Sequence, residues 1–360
     1  MVQSYDVGSM PMIYEVEKFS ELAKSYNSLK RLINPNEYAS FTDSVVKGLR
    51  DKLSAGVDIP NYPQFRDMNE MFLEKIDGIE KTDRGYVTKG AISISADKAK
   101  ISEVSVIKEN SGEISDACGG PFQMKVCVTG PYTLASLFQH KTTDIYTDFG
   151  KTLSHIIESN LFCNKHVKVE LLVVDEPVFG FLNDPVLDFG SIGRAELLSA
   201  WDDMLHSAQA KNVKTVLHLH NTSDNLFWDL QNLNVIESHL NDPLYKTQRT
   251  KVLLNEHDKL LKAPIANAQF DYLIAQKIRS EDPEKIGIEW EKIRKGKSDP
   301  ISYLEDSKTM SLHLKKLIKF FGEDKIPYAG MECGLKSHPT YDCAIECLRR
   351  QSIAIKGLYD

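Results

Sequence analysis

Short apolar runs that alternate with longer helical patterns are the feature that most constrains this chain. Residues 169–175 (VELLVVD) and 214–220 (KTVLHLH) are almost continuously apolar, which is typical of strands covered on both faces of a parallel sheet. Together with a weaker run at 56–59, such segments predict eight strands, at 4–8, 56–59, 124–129, 169–175, 215–220, 235–237, 285–288 and 328–332. The alternation therefore predicts an α/β protein, a (β/α)8 TIM barrel in one domain over residues 1–360.

Two segments depart from this alternation. Residues 85–108 alternate apolar and polar side chains between turn residues, which predicts an antiparallel β-hairpin inserted after strand two. Residues 242–264 are rich in lysine and predict a solvated helix with its loop. A doubly wound sheet is the alternative fold, but the sequence contains neither a GxGxxG nor a GxxxxGK[ST] phosphate loop.

The charge balance and the cysteine content limit the classes of function. The chain has 44 basic and 51 acidic residues, a net charge of −7 and an isoelectric point near 5.9, so we expect neither nucleic acid nor membrane as a partner. No apolar run approaches the ~18 residues of a membrane span, and we find no export signal. Six cysteines in 360 residues are too few for a disulfide scaffold. We therefore expect a cytoplasmic enzyme with free thiols.

Polar side chains follow several predicted strands, at the edge of a barrel where catalytic residues gather. His218 and His220 are two residues apart, so both imidazoles would point to one face of their strand. Glu237 ends the next strand, and Cys333 follows the last one. Each feature alone also fits a hydrogen-bonded histidine pair or an inert buried cysteine. Two imidazoles, one carboxylate and one thiolate together suit tetrahedral zinc, and this combination predicts a zinc site.

Six ordered motifs carry a resemblance to a known family. They are DVGSMP (6–11), VTGPYTLA (128–135), VVDEPVF (173–179), LHLHN (217–221), VIES (235–238) and ECGLKSHP (332–339). Over roughly residues 4–339, the chain resembles the C-terminal catalytic domain of cobalamin-independent methionine synthase, and more closely the single-domain, archaeal-type core methionine synthases. That family consists of (β/α)8 zinc enzymes that transfer a methyl group to the sulfur of homocysteine. The resemblance therefore implies a methyltransferase of methionine biosynthesis.

The resemblance also implies a set of metal ligands. It places zinc on His218, Glu237 and Cys333, and His220 stands where the family has its remaining cysteine ligand. Replacing that thiolate by imidazole changes the formal charge of the site from −1 to about zero. A less negative zinc site is expected to acidify a bound thiol more strongly and to leave it a weaker nucleophile.

Four further residues match the substrate-binding positions of the family. The Gly8–Ser9 turn matches the segment that holds the carboxylate of the amino acid, and Asp175 matches the carboxylate that holds its ammonium group. Gln64 is the nearest equivalent of a second glutamate, and its neutral amide removes one counter-charge for the ammonium. No side chain of the protein is expected to act as a catalytic group, because the nucleophile is the substrate thiol that the metal activates.

The expected reaction is zinc-dependent transfer of a methyl group to a small-molecule thiol, with homocysteine as the expected acceptor. The donor implied by the resemblance is a folate or another pterin, or a corrinoid protein. Zinc enzymes that alkylate thiols of the coenzyme M type are an alternative, which Gln64 favours and Asp175 disfavours. A metal-free decarboxylase barrel would need basic residues at its strand ends, where this chain has acidic residues and histidines. His220 also leaves open a non-catalytic barrel homologue.

Overall fold

The computed structural model describes residues 1–12, 16–142, 144–181 and 184–359. Within these residues the strands are β1 (Gln3–Ser4), β2 (Asp77–Thr82), β3 (Gly85–Ser93), β4 (Phe122–Thr129), β5 (Val167–Glu176), β6 (Lys214–Leu219), β7 (Val235–Glu237), β8 (Leu260–Ala266) and β9 (Tyr328–Met331). The α-helices are α1 (Val16–Ser25), α2 (Ser28–Ile33), α3 (Pro35–Ser54), α4 (Glu70–Leu73), α5 (Ser102–Glu109), α6 (Ser111–Cys118), α7 (Pro131–Ala135), α8 (Ile145–Asn160), α9 (Ile192–Gln209), α10 (Gln248–Glu256), α11 (Phe270–Ile278), α12 (Pro283–Arg294), α13 (Ser307–Phe321) and α14 (Tyr341–Lys356).

Seven strands form one curled parallel sheet in the order β1-β9-β8-β7-β6-β5-β4. The predicted α/β class is confirmed. The centre of β5 shows why its sequence is so apolar, since residues 171–174 are fully buried. Among the described residues, none of the helices combines the length and the hydropathy that a membrane-spanning helix requires.

An irregular segment lies between the two ends of this sheet, where an eighth strand was predicted at 56–59. The backbone N–H of Ile59 donates to Ser4 O at 3.0 Å, and the N–H of Lys125 donates to Pro60 O at 3.0 Å. These contacts link β1 to β4, but residues 56–59 form no regular strand. Pro60 and Pro63 lack the backbone N–H that a regular ladder requires, which explains the difference.

The predicted strand at 285–288 is wrong, because these residues belong to helix α12. Asp282 accepts a hydrogen bond from the N–H of Glu284 at 3.0 Å and caps this helix, with Pro283 in its first turn. The strand that takes its place in the sheet is β8, which was not predicted. It lies at the end of the segment predicted to be a solvated helix with its loop. Lysine residues in this segment predict exposure to solvent, yet the side chain of Lys262 is fully buried.

The boundaries predicted for the inserted hairpin, 85–108, are also wrong. Strands β2 and β3 pair antiparallel from residue 77 to residue 93, so the hairpin begins earlier and ends earlier. Residues 102–109 form helix α5 instead. Val104 and Ile107 are three residues apart and both are buried, so their helical spacing outweighs the local alternation of polar and apolar residues.

Glu176 connects the end of β5 to two helices. Its carboxylate accepts hydrogen bonds from the backbone N–H groups of Tyr132 and Thr133 at 2.9 and 2.7 Å, in the first turn of α7. It also accepts from the Thr133 hydroxyl at 2.6 Å and from the indole N–H of Trp201, in α9, at 2.7 Å. A Cβ atom at Gly130 would lie 2.2 Å from this carboxylate. The motifs VTGPYTLA and VVDEPVF therefore meet at one buried contact.

We predict that Glu176→Gln lowers the free energy of unfolding by about 1–3 kcal/mol, because an amide NH2 group cannot accept from the buried donors. Denaturant titration would measure the loss. The control is Glu281→Gln, since Glu281 is exposed and the change should have almost no effect. Equal stability of the two variants would contradict the structural role of Glu176.

Candidate metal centre

Three neighbouring strands bring polar residues near their carboxyl ends to one level of the sheet. The register pairs Asp175 of β5 with His218 of β6, and His218 with Glu237 of β7. Directly paired residues of parallel strands point to the same face, so these side chains converge. His218 and Glu237 are fully buried, and Asp175 is 8% exposed. The carboxyl ends of β5, β6 and β7 therefore form one polar site.

A compact group of metal-binding side chains lies at this site. One ligand atom from each of His218, His220, His239 and Cys333 lies within 4.8 Å of every other. The Sγ atom of Cys333 is 3.5 Å from Nε2 of His220, and the ring centres of His220 and His239 are 4.1 Å apart. Three of the four predicted ligands are therefore brought together, and a histidine that the sequence analysis missed joins them.

Glu237, the remaining predicted ligand, lies beside this group and is not a member of it. Its Oε1 atom is 3.0 Å from Nδ1 of His218. Its Oε2 atom accepts a hydrogen bond from the hydroxyl of Tyr5 at 2.7 Å and lies 3.1 Å from Nζ of Lys262. His239 stands two residues after Glu237, the spacing that drew attention to His218 and His220, and that signal could have identified it.

Several buried polar atoms of the site have no hydrogen-bond partner within the described part of the chain. They are Nε2 of His218, Nε2 of His239 and Oδ1 of Asp175. Buried polar atoms are nearly always satisfied, so a cluster of such atoms without partners indicates a ligand-binding site. Imidazole nitrogens and a thiolate are the donors that zinc prefers, and the residues present therefore fit this metal.

The electrostatics of the site favour a bound cation. Burial, together with the charge of His218, lowers the pKa of His220 to about 2 and that of His239 to about 4, so both imidazoles are neutral. At His218, burial acts in the same direction, but the carboxylates of Glu237 and Asp175 outweigh it and raise the pKa to about 10. A metal ion bound at Nε2 of His218 would take the place of its proton and would be attracted by the same two carboxylates.

Asp175 faces the metal-binding group from β5. Its Oδ1 atom is 3.9 Å from Nε2 of His218, and it has no hydrogen-bond partner among the described residues. Burial is the largest cause of the raised pKa of this carboxyl group, and the charge of His218 opposes it. A carboxylate with a free oxygen next to the group can accept a hydrogen bond from a cationic ligand.

The predicted turn at Gly8–Ser9 packs against the loop that carries Cys333. Ser9 pairs with Gln64 in an isolated parallel bridge, and Ser9 O accepts a hydrogen bond from the N–H of Leu335 at 2.7 Å. Gly8 has a φ of +145°, and a Cβ atom there would lie 3.0 Å from Oε1 of Gln64. The structure therefore brings Gly8, Ser9 and Gln64 together beside the loop of Cys333.

The chain matches no protein-family model, but it is similar to known proteins in sequence and to solved structures in fold. It is 23% identical over 310 residues to a methionine synthase of Sulfolobus acidocaldarius, covering 83% of this chain and 77% of that protein. It is 25% identical over 185 residues to a methionine synthase of Sulfurisphaera tokodaii, covering 50% of this chain and 51% of that protein.

Solved structures agree with these relatives. A B12-independent methionine synthase from Shewanella sp. W3-18-1, in complex with selenomethionine, superposes with a TM-score of 0.59 at 16% identity, covering 100% of this chain and 98% of that one. A protein from Listeria monocytogenes assigned as a vitamin-B12-independent methionine synthase gives a TM-score of 0.60 at 13% identity, with coverage of 100% and 99%. The predicted resemblance to cobalamin-independent methionine synthases is confirmed. Likeness to these methionine synthase structures extends, at such identities, to the fold alone.

We predict that Gly334→Ala destabilises the protein by about 1–3 kcal/mol, because the added methyl group overpacks the contact between the two loops. Its Cβ atom would lie 1.9 Å from Oγ of Ser9. Thermal unfolding would measure the effect. The control is Gly287→Ala, where a Cβ atom meets nothing within 4 Å and α12 should gain about 0.5–1 kcal/mol. A neutral Gly334→Ala would refute this packing.

Proposed function

We propose that this protein is a zinc-dependent methyltransferase that moves a methyl group to the thiol of homocysteine and forms methionine. One observation carries the proposal: the imidazoles and the thiolate of the metal-binding group lie beside the free carboxylate of Asp175. A thiol substrate that also carries an ammonium group would meet both. The resemblance to methionine synthases supports the same reaction.

The zinc would be held by His218, His220 and Cys333, which belong both to the predicted ligand set and to the observed group. The fourth donor is either Glu237, as predicted, or His239. A zinc ion at this site supplies Lewis acidity that lowers the pKa of a substrate thiol, so that the thiolate is available near neutral pH.

The chain itself binds and orients the non-reacting end of the substrate. Asp175 and the amide oxygen of Gln64 accept hydrogen bonds from the ammonium group, and the Gly8–Ser9 turn receives the carboxylate end. Asp175 and Gln64 are 8% and 4% exposed, so water has little access to them and their polar contacts are strengthened. Fixing one end of the amino acid aligns its sulfur for in-line attack on the methyl donor, which is a folate, another pterin or a corrinoid protein.

A second acceptor has one observation in its favour. Gln64 offers a neutral amide where a second carboxylate would favour an ammonium group, which suits a thiol of the coenzyme M type. Asp175 argues for the amino acid, because a buried carboxylate favours a thiol that carries an ammonium group over an anionic thiol.

We also infer that the sheet closes into a (β/α)8 barrel over one domain, with the irregular segment at 57–61 in place of the eighth strand. The hydrogen bonds from Ile59 to Ser4 and from Lys125 to Pro60 support this closure. The hairpin of β2 and β3 would then be an insertion after this segment. Closure matters for the reaction, because it brings Ser9 and Gln64 to the same end as the metal-binding group.

We predict about one zinc per chain in the purified protein and less than about half an equivalent in Cys333→Ser, because this variant removes the thiolate donor. Metal analysis after dialysis would measure both. Cys163→Ser is the control, since Cys163 is a free, exposed cysteine and its loss should leave the zinc content unchanged. Zinc that is retained in Cys333→Ser would argue against the site.

We predict that Asp175→Asn raises KM for homocysteine by about tenfold or more, because a charge-assisted hydrogen bond is worth ~1.5–3 kcal/mol. Zinc content should not change, and neither should KM in the control Asp203→Asn, which alters an exposed aspartate. Parallel assays with a thiol that lacks the ammonium group should show no such increase. Loss of zinc in Asp175→Asn with an unchanged KM would contradict the assignment.

A further inference from the structure

The metal-binding group includes His239, whereas the resemblance implies that Glu237 is the fourth ligand. His239 offers a nitrogen within 4.8 Å of the ligand atoms of His218, His220 and Cys333, and Glu237 does not belong to this group. The ring of His239 lies 4.1 Å from that of His220 and 6.1 Å from that of His218, between ring centres. His239 is therefore placed for coordination.

The backbone on both sides of His239 is held in position. The N–H of Ser238 donates to the hydroxyl of Tyr245 at 2.8 Å, and the N–H of Leu240 donates to Oε2 of Glu332 at 2.9 Å. Glu332 directly precedes Cys333, so the loop with the histidine and the loop with the thiol are joined beside the site. Nε2 of His239 is buried and has no partner among the described residues.

Glu237, by contrast, already has strong partners. One oxygen accepts from the Tyr5 hydroxyl at 2.7 Å and lies 3.1 Å from the ammonium group of Lys262. The negative charge of Glu237 is thus balanced within the protein, and its other oxygen lies next to the ring of His218, 3.0 Å from Nδ1.

We propose that His239 is the fourth zinc ligand, so that the centre is formed by His218, His220, His239 and Cys333. Glu237 then acts as a positioning residue that orients His218 and supplies a counter-charge. The inference rests on the proposed function only in assuming that zinc binds here. With three neutral ligands and one thiolate, the formal charge of the centre is about +1, and such a centre acidifies a bound thiol more strongly than a neutral one.

Zinc affinity, measured by competition with a chromophoric chelator, tests this assignment in the full-length protein. Removing an orienting carboxylate typically weakens metal binding about 10–100-fold, so Glu237→Gln should fall in this range and His239→Ala should lose more. His155→Ala is the matched control, because His155 is exposed and its loss should leave the affinity unchanged. Greater loss in Glu237→Gln than in His239→Ala would overturn the assignment.

Two further measurements keep the test decisive. Because Glu237→Gln leaves Lys262 buried without its partner, the double variant Glu237→Gln/Lys262→Met removes both charges and should retain zinc. X-ray absorption at the zinc edge should indicate three imidazoles in the wild type and two in His239→Ala. Two imidazoles in the wild type would refute the ligand set but leave the proposed function standing, whereas a wild type that binds no zinc would refute the proposed function itself.

Discussion

The buried carboxylate of Glu237 is the contact on which the interior of this protein depends. It joins β7 to Tyr5, which directly follows β1, to Lys262 of β8 and to His218 of β6. All four side chains are fully buried, so none of these charges has access to water that could replace a lost partner. Removing one member of such a group typically costs about 3–5 kcal/mol, because it leaves an unpaired charge behind. The register of the strands and the position of the metal-binding group are therefore coupled.

Buried lysines extend this network below the site. Lys125 of β4 lies over the ring of Tyr5, 4.6 Å from its centre, and Lys52 of α3 lies 2.7 Å from the carboxylate of Asp6. Lysine is rarely buried unless its charge is compensated, and here carboxylates and an aromatic ring provide the compensation. The interior of the curled sheet is thus held by a balance of charges as well as by apolar packing.

The carboxyl edge of the sheet carries two kinds of polar group side by side. Neutral imidazoles and a thiol gather where β6, β7 and β9 end, and they suit a metal ion. Asp175 lies one strand away, and its Oδ1 atom has no hydrogen-bond partner among the described residues. The Ser9 turn packs on the loop of Cys333, so these two segments hold each other in place at this end of the sheet. The amino-acid thiol proposed as substrate would contact both kinds of group.

Much of this arrangement could be predicted from the amino-acid sequence. Apolar runs predicted the buried strands β4 to β7 and the α/β class, because such runs report burial on both faces directly. The spacing of His218 and His220 and the position of Cys333 predicted three members of the metal-binding group, and six motifs indicated the resemblance to methionine synthases. The sequence also carries the start signals of α12, in Asp282 and Pro283, but the short apolar run at 285–288 fits a strand equally well.

Only the tertiary structure decided the remainder, because it depends on partners that are distant in the chain. Lys262 can lie in a buried strand since Glu237 of β7 compensates its charge, and no local pattern reveals that pairing. His239 joins the metal-binding group since Glu332, 92 residues further along the chain, holds the neighbouring backbone N–H of Leu240. The sequence determined which residue types were available for a metal site, and long-range hydrogen bonds and ion pairs decided which of them meet.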